Sequence, residues 1–176
     1  MSEIRQNRGG RWGRLEGMTT TTCQLTVHAI SPERLDLVRA AGTDGYHNPL
    51  RPFAATGAGE PLRCCLRFAR DGEDVALISF APFEHASVWT EVGPVYVHAK
   101  ACAGYGPTEG LPAELSRGPR VLRTYRADDT MNYEHNTLVG DEDLGPALDR
   151  LLSLPDVATV HVRTVLPQCF LYAVTR

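Results

Sequence analysis

The sequence contains one lysine, Lys100, against seventeen arginines. So uneven a ratio is what a GC-rich genome produces, and it removes any argument from the choice of Arg over Lys at a single position. No apolar run approaches the roughly 18 residues that would span a bilayer, so no membrane partner is expected. The opening stretch MSEIRQNRGGRWGRLEG lacks the apolar segment of a secretory signal. Cys-x2-Cys and His-x3-His spacings are missing, and with them the zinc-finger signatures. The glycine groups ATGAGEP and CAGYGPTEG have neither the dinucleotide nor the Walker spacing, and no G-x-S-x-G occurs, so no nucleotide loop or nucleophile elbow is written in the chain.

What is present describes an ordinary globular domain: 176 residues, 43% hydrophobic and 22% charged. A chain of this length buries about 70% of its unfolded surface without needing a staple. Residues 1–17 are expected to be a disordered arm or a non-native start ahead of Met18, with residues 18–176 forming a single α+β domain. The arm carries four Arg against Glu3 and Glu16, a charge of +2, which leaves −5 of the overall −3 on the remainder. An acidic body argues against nucleic-acid binding, which needs a basic patch. Five irregularly spaced cysteines, Cys23, Cys64, Cys65, Cys102 and Cys169, favour reduced thiols and a cytoplasmic location over a disulfide framework.

The periodicity predicts a mostly antiparallel sheet of about seven strands with two helices. Ser31-Pro32 reads as a helix start and Gly42 as its stop, and residues 43–61 as a long loop. Strands are expected at 23–30, 62–69, 74–83, 93–99, 120–127, 132–140 and in two final runs after residue 157. An Asp-Gly turn at 71–72 joins the second and third. Between the last strands, Asp141 is expected to cap a helix whose stripe of Leu144, Ala147, Leu148, Leu151 and Leu152 packs on the sheet's apolar face.

Strand alternation sends neighbours to opposite faces and so sorts the polar residues. In 62–69 it places Cys64 in the core and Cys65 with Arg63 and Arg67 on the other side. Two guanidiniums about 7 Å away favour a Cys65 thiolate and make it a candidate nucleophile. The same sorting collects Tyr96, His98, Arg123, Tyr125, His161 and Arg163, provided the strands share one sheet. Such a face would suit a small anionic metabolite, a carboxylate or phosphate, held by Arg63, Arg67, Arg123 and Arg163 and lined by Tyr96 and Tyr125. Cys65, His98 and His161 are then the candidate catalytic residues, should the protein be an enzyme.

A non-catalytic module presenting this face to a partner protein is the alternative, as is a haem or metal site through His98 or Cys102. The last is disfavoured by spacing, because strand residues four apart lie about 13 Å from each other. Adjacent Cys64 and Cys65 would likewise face apart on a strand, so no metal site is expected.

The segments PLRCCL (61–66), EVGPVYVHAKAC (91–102) with Tyr105 after it, LRTYR (122–126) and HVRTVLPQCF (161–170) resemble a bacterial family catalogued as a domain of unknown function, number twelve hundred and three. The resemblance runs from about Pro61 to the C-terminus. It implies no activity, cofactor or catalytic residue.

Overall fold

The computed structural model describes residues 25–106, 109–140 and 143–176. The arm at 1–17, Cys23 and the capping role expected of Asp141 lie outside them. In chain order the elements are β1 (Thr26–His28), α1 (Pro32–Ala41), β2 (Phe53–Ala54), β3 (Pro61–Leu62), β4 (Arg67–Phe68), β5 (Asp74–Phe80), β6 (Gly93–His98), β7 (Arg120–Tyr125), β8 (Thr137–Val139), α2 (Leu144–Leu152), β9 (Thr159–Arg163) and β10 (Phe170–Thr175). A short 3₁₀ turn, Tyr133–His135, precedes β8.

Helix α1 starts as its sequence requires. The Ser31 hydroxyl accepts from the Arg34 amide at 3.3 Å, Pro32 opens the first turn, and Gly42 closes the helix at φ 67°. Helix α2 follows Asp143 and presents Leu144, Ala147, Leu148, Leu151 and Leu152 as its buried stripe. These side chains pack with Leu122, Val160 and Val162 of β7 and β9, which is the helix-on-sheet packing the periodicity predicts.

The strands form two five-stranded sheets, ordered β1-β10-β9-β7-β8 and β2-β5-β6-β3-β4, where the sequence predicts one of about seven. The pairings are antiparallel except β3 with β6, which is parallel. Two local events account for the extra strands. The loop after α1 contributes β2, and the expected strand at 62–69 is not a strand.

At that point the chain turns. The Leu66 amide donates to the Leu62 carbonyl at 3.0 Å, and Leu66 takes φ 53°. β3 and β4 therefore pair with each other, Pro61 opposite Phe68 and Leu62 opposite Arg67. A left-handed leucine is strained, and burying its side chain, 2% exposed among Val27, Leu122 and Leu144, offsets that cost.

Two cores result. One lies between α2 and the first sheet; the other joins α1 and the second sheet through Leu35, Leu62, Val75, Ile78, Val95 and Val97. Phe170 and Ala173 of β10 reach into this second core, with the Phe170 ring 5.8 Å from that of Phe80. The polar side of the first sheet thus faces other protein over part of its extent and is not one open face shared by all the polar strands.

Candidate metal centre

The turn at 63–66 removes the alternation that separated Cys64 from Cys65. Both side chains now turn toward the end of β6, where the parallel pairing of Leu62 with Tyr96 sets the register. The Arg63 amide donates to the Tyr96 carbonyl at 2.9 Å, and the His98 amide donates to the Cys64 sulfur at 3.4 Å. After His98 the chain leaves the strand and an irregular segment returns Cys102 to the same place. Gly104, at φ 78°, permits this return: a Cβ there would stand 3.3 Å from Pro32 Cγ.

The four donor atoms of Cys64, Cys65, His98 and Cys102 all lie within 4.8 Å of one another. Cys64 Sγ is 4.0 Å from Cys65 Sγ, and His98 Nδ1 is 3.4 Å and 3.8 Å from these two sulfurs. Tetrahedral zinc with bonds of about 2.3 Å to sulfur and 2.05 Å to nitrogen requires edges of about 3.8 Å between sulfurs and 3.6 Å between sulfur and nitrogen. The distances involving Cys64, Cys65 and His98 depart from that figure by no more than about 0.3 Å. A disulfide, by contrast, needs sulfurs near 2.05 Å, and all four cysteines among the described residues are free.

The surroundings favour the thiolate of Cys65 and orient His98. Arg67 clamps Glu73 with two parallel hydrogen bonds of 2.8 and 2.7 Å, and the Arg70 amide adds a third at 2.7 Å. Chiefly because of Arg67, the Glu73 carboxyl titrates at about 2. Its Oε2 stands 3.7 Å from His98 Nε2, while Arg67 Nη2 is 3.4 Å from the same nitrogen. A guanidinium can only donate, so Nε2 accepts from Arg67 as the ring stands. An ion on Nδ1 would move the ring proton to Nε2, which would then have to turn from Arg67 to Glu73, the acceptor of a carboxylate–histidine–metal arrangement.

Burial, then Arg67, lowers the His98 pKa, which keeps the imidazole neutral and able to donate a lone pair. A hydrogen bond between the adjacent thiols raises Cys64 and lowers Cys65, and burial raises Cys102. Arg67 also favours the Cys65 thiolate, and Arg39, anchored to the His98 carbonyl at 3.1 Å, favours that of Cys102.

Of the nine residues predicted to share a face, the structure brings Cys65, Arg67 and His98 together here. Arg63 does not join them. Its side chain is buried and donates to the main-chain carbonyls of Phe170, at 2.7 Å, and Pro61, so Cys65 has one neighbouring guanidinium and not two. Tyr96 packs edge-on against Phe53 in the second sheet. Cys64, read from the sequence as a core thiol, and Cys102, which its spacing from His98 counted against, become members of the site. Nothing in the alternation pattern signals this, because the left-handed Leu66 has no sequence mark.

The remaining four residues do share one side of the first sheet, since β7 and β9 pair with Arg123 opposite His161 and Val121 opposite Arg163. His161 is 1% exposed, and its ring lies 4.4 Å from Tyr125, 4.8 Å from Phe83 and 5.1 Å from Phe170. Its Nδ1 has no hydrogen-bond partner. Burial, with Arg163 and Arg123 nearby, pushes its pKa well down, which does not suit it to donate a proton near neutrality.

A histidine held neutral in the fold adds stability above its unfolded pKa, near 6.5, and that contribution is lost as pH falls toward the depressed folded value. Lowering the pH from 7.5 to 5.5 should therefore cost the native protein about 1 kcal/mol that His161→Phe does not lose. Urea unfolding at the two pH values tests this, and equal losses in both proteins would refute it.

A family model described as a protein of unknown function, DUF1203, matches residues 59–176. The chain belongs to that family. The matched span contains all four clustered residues and agrees with the resemblance seen from Pro61 onward. No curated protein and no solved structure matches the chain. Among the described residues, no helix is long and apolar enough to cross a membrane.

Proposed function

We propose that this DUF1203 protein binds one zinc ion through Cys64, Cys65, His98 and Cys102. The observation that carries the reading is the convergence of three sulfurs and one imidazole nitrogen, from two loops and a strand end, with Cys64, Cys65 and His98 near tetrahedral spacing and Cys102 within 4.8 Å of them. A nucleophile–base couple would need only one thiol beside the imidazole. Four protein ligands fill a tetrahedral ion and leave no position for substrate, so the ion's role is to fasten the 63–66 turn and the segment after β6 to each other. The complex of Zn²⁺ with three thiolates carries −1; Arg67 and Arg39 stand beside it, each also paired with a carboxylate, Glu73 and Asp36. Soft thiolates with one imidazole favour zinc over magnesium or calcium.

Elemental analysis of the purified full-length protein should give one zinc per chain. After chelation, added Co²⁺ should restore one equivalent, with thiolate charge-transfer bands in the near ultraviolet and the visible absorption of a tetrahedral ion. Apoprotein that takes up neither ion would end the proposal.

A further inference from the structure

A second constellation lies away from the thiols, where Arg123 of β7 and Arg163 of β9 reach the same carboxylate. Glu91, on the segment leading into β6, offers one oxygen to each: Oε1 to Arg123, and Oε2 to Arg163 at 2.5 Å. The three residues border a cleft of about 410 Å³ whose walls include Phe80, Val95 and Phe170. Among the residues around it, Glu91, Arg123 and Arg163 are the charged ones, so the cleft holds +1 in a protein whose formal charge is −3.

Arg163 is 5% exposed, and its buried Nε has no hydrogen-bond partner. Desolvating a guanidinium this far is costly unless its donors are used, and Nε is the one nitrogen without a partner, Nη1 donating to the Gln168 carbonyl at 3.0 Å and Nη2 standing in the ion pair with Glu91. Glu91 is the more accessible partner, its side chain 41% exposed, in a segment whose hydrogen bonds among the described residues are local turns between Ser87 and Thr90. Val88 in the same segment is 94% exposed. Arg163 is thus buried and Arg123 largely so, while the anion comes from the more exposed side chain, although its Oε2 is itself covered.

We propose that Arg123 and Arg163 form a binding site for the carboxylate of a small molecule bearing an apolar or aromatic group, and that Glu91 is a built-in competitor occupying the site until such a ligand displaces it. The bridging geometry, one oxygen to each guanidinium, is that of a carboxylate. The apolar walls give the remainder of the ligand a place that a bare phosphate would leave unfilled. Competition by a tethered carboxylate lowers apparent affinity by the fraction of time the site is occupied, so removing it strengthens binding without any new contact.

The test is calorimetric titration of the full-length, zinc-loaded protein with phenylacetate, inorganic phosphate and neutral phenethyl alcohol. Glu91→Gln, which keeps the side chain's size, should bind phenylacetate about tenfold or more tightly than native protein does. Adding Arg123→Gln should abolish the gain, and phenethyl alcohol should not bind. Unchanged affinity in Glu91→Gln would make the trio a structural ion pair and overturn the proposal. An equal gain for phosphate would overturn the assignment of ligand class. Should Glu91→Gln not fold, native protein against Arg123→Gln in the same titration decides, and equal phenylacetate affinities there would sink the site.

Discussion

Cys102→Ser and Cys64→Ser should each purify without zinc and melt at the temperature of chelated native protein. A ligand present at a thousandfold its dissociation constant stabilises the state it binds by about 4 kcal/mol. For a chain of this size that amounts to a melting-temperature loss of roughly 8–16 °C. The fall should be the same for either cysteine, although Cys64 is 1% exposed and Cys102 is half-buried, because the loss is that of the ion and not of one side chain's packing. Chelator should lower the native melting temperature and leave both variants where they are. Cys169→Ser, outside the cluster, should retain one zinc and respond to chelator as native protein does. A chelator-sensitive Cys102→Ser would place the ion elsewhere.

The second large effect is expected at Arg63, and it concerns the fold. Burial brings its guanidinium down to about 10, which leaves it cationic at neutral pH. Its hydrogen bonds to the Phe170 and Pro61 carbonyls tie the turn that carries the cysteines to β10 of the other sheet. Charge-assisted hydrogen bonds are worth about 1.5–3 kcal/mol each, and one buried and one partly buried carbonyl would lose this donor. Arg63→Ala should therefore cost about 3 kcal/mol or more, with a melting temperature lower by roughly 6–12 °C. Arg63→Lys should recover less than half of this, since a single ammonium cannot reproduce the two-pronged fork. Zinc content should stay at one per chain, because the backbone pairing of Arg63 with Tyr96 does not depend on the side chain. Differential scanning calorimetry with zinc analysis separates this loss from that of the cysteine variants. An unchanged melting temperature for Arg63→Ala would remove its bridging role.

Alternation proved informative where the chain is extended and misleading where it turns. In β7 and β9 the period of two placed Arg123, Tyr125, His161 and Arg163 on one side, as their register requires. In 62–69 the same reasoning divided Cys64 from Cys65 and gave Cys65 two cationic neighbours, because a turn with a left-handed Leu66 is invisible to a pattern of apolar and polar residues. His98 and Cys102 were separated by an argument that holds only for an extended chain. The segment after His98 is irregular, and Gly104 closes it back on the cysteines. Glu91 and Glu73 gave no signal, since a carboxylate acquires a role only from the guanidinium that finds it.

By itself the sequence determined the two helices, the cap of the first and the stripe of the second, the mostly antiparallel β character and the membership of a family of unknown function. All of these rest on local periodicity or on motifs contiguous in the chain. Tertiary structure alone decided that the strands form two sheets, that Arg63 is an internal strut, and that three sulfurs and one imidazole meet. Such meetings depend on where a turn re-aims neighbouring side chains and on which strand pairs with which. Both are settled by burial across the whole chain, where the cost of straining one leucine is set against the apolar surface it hides.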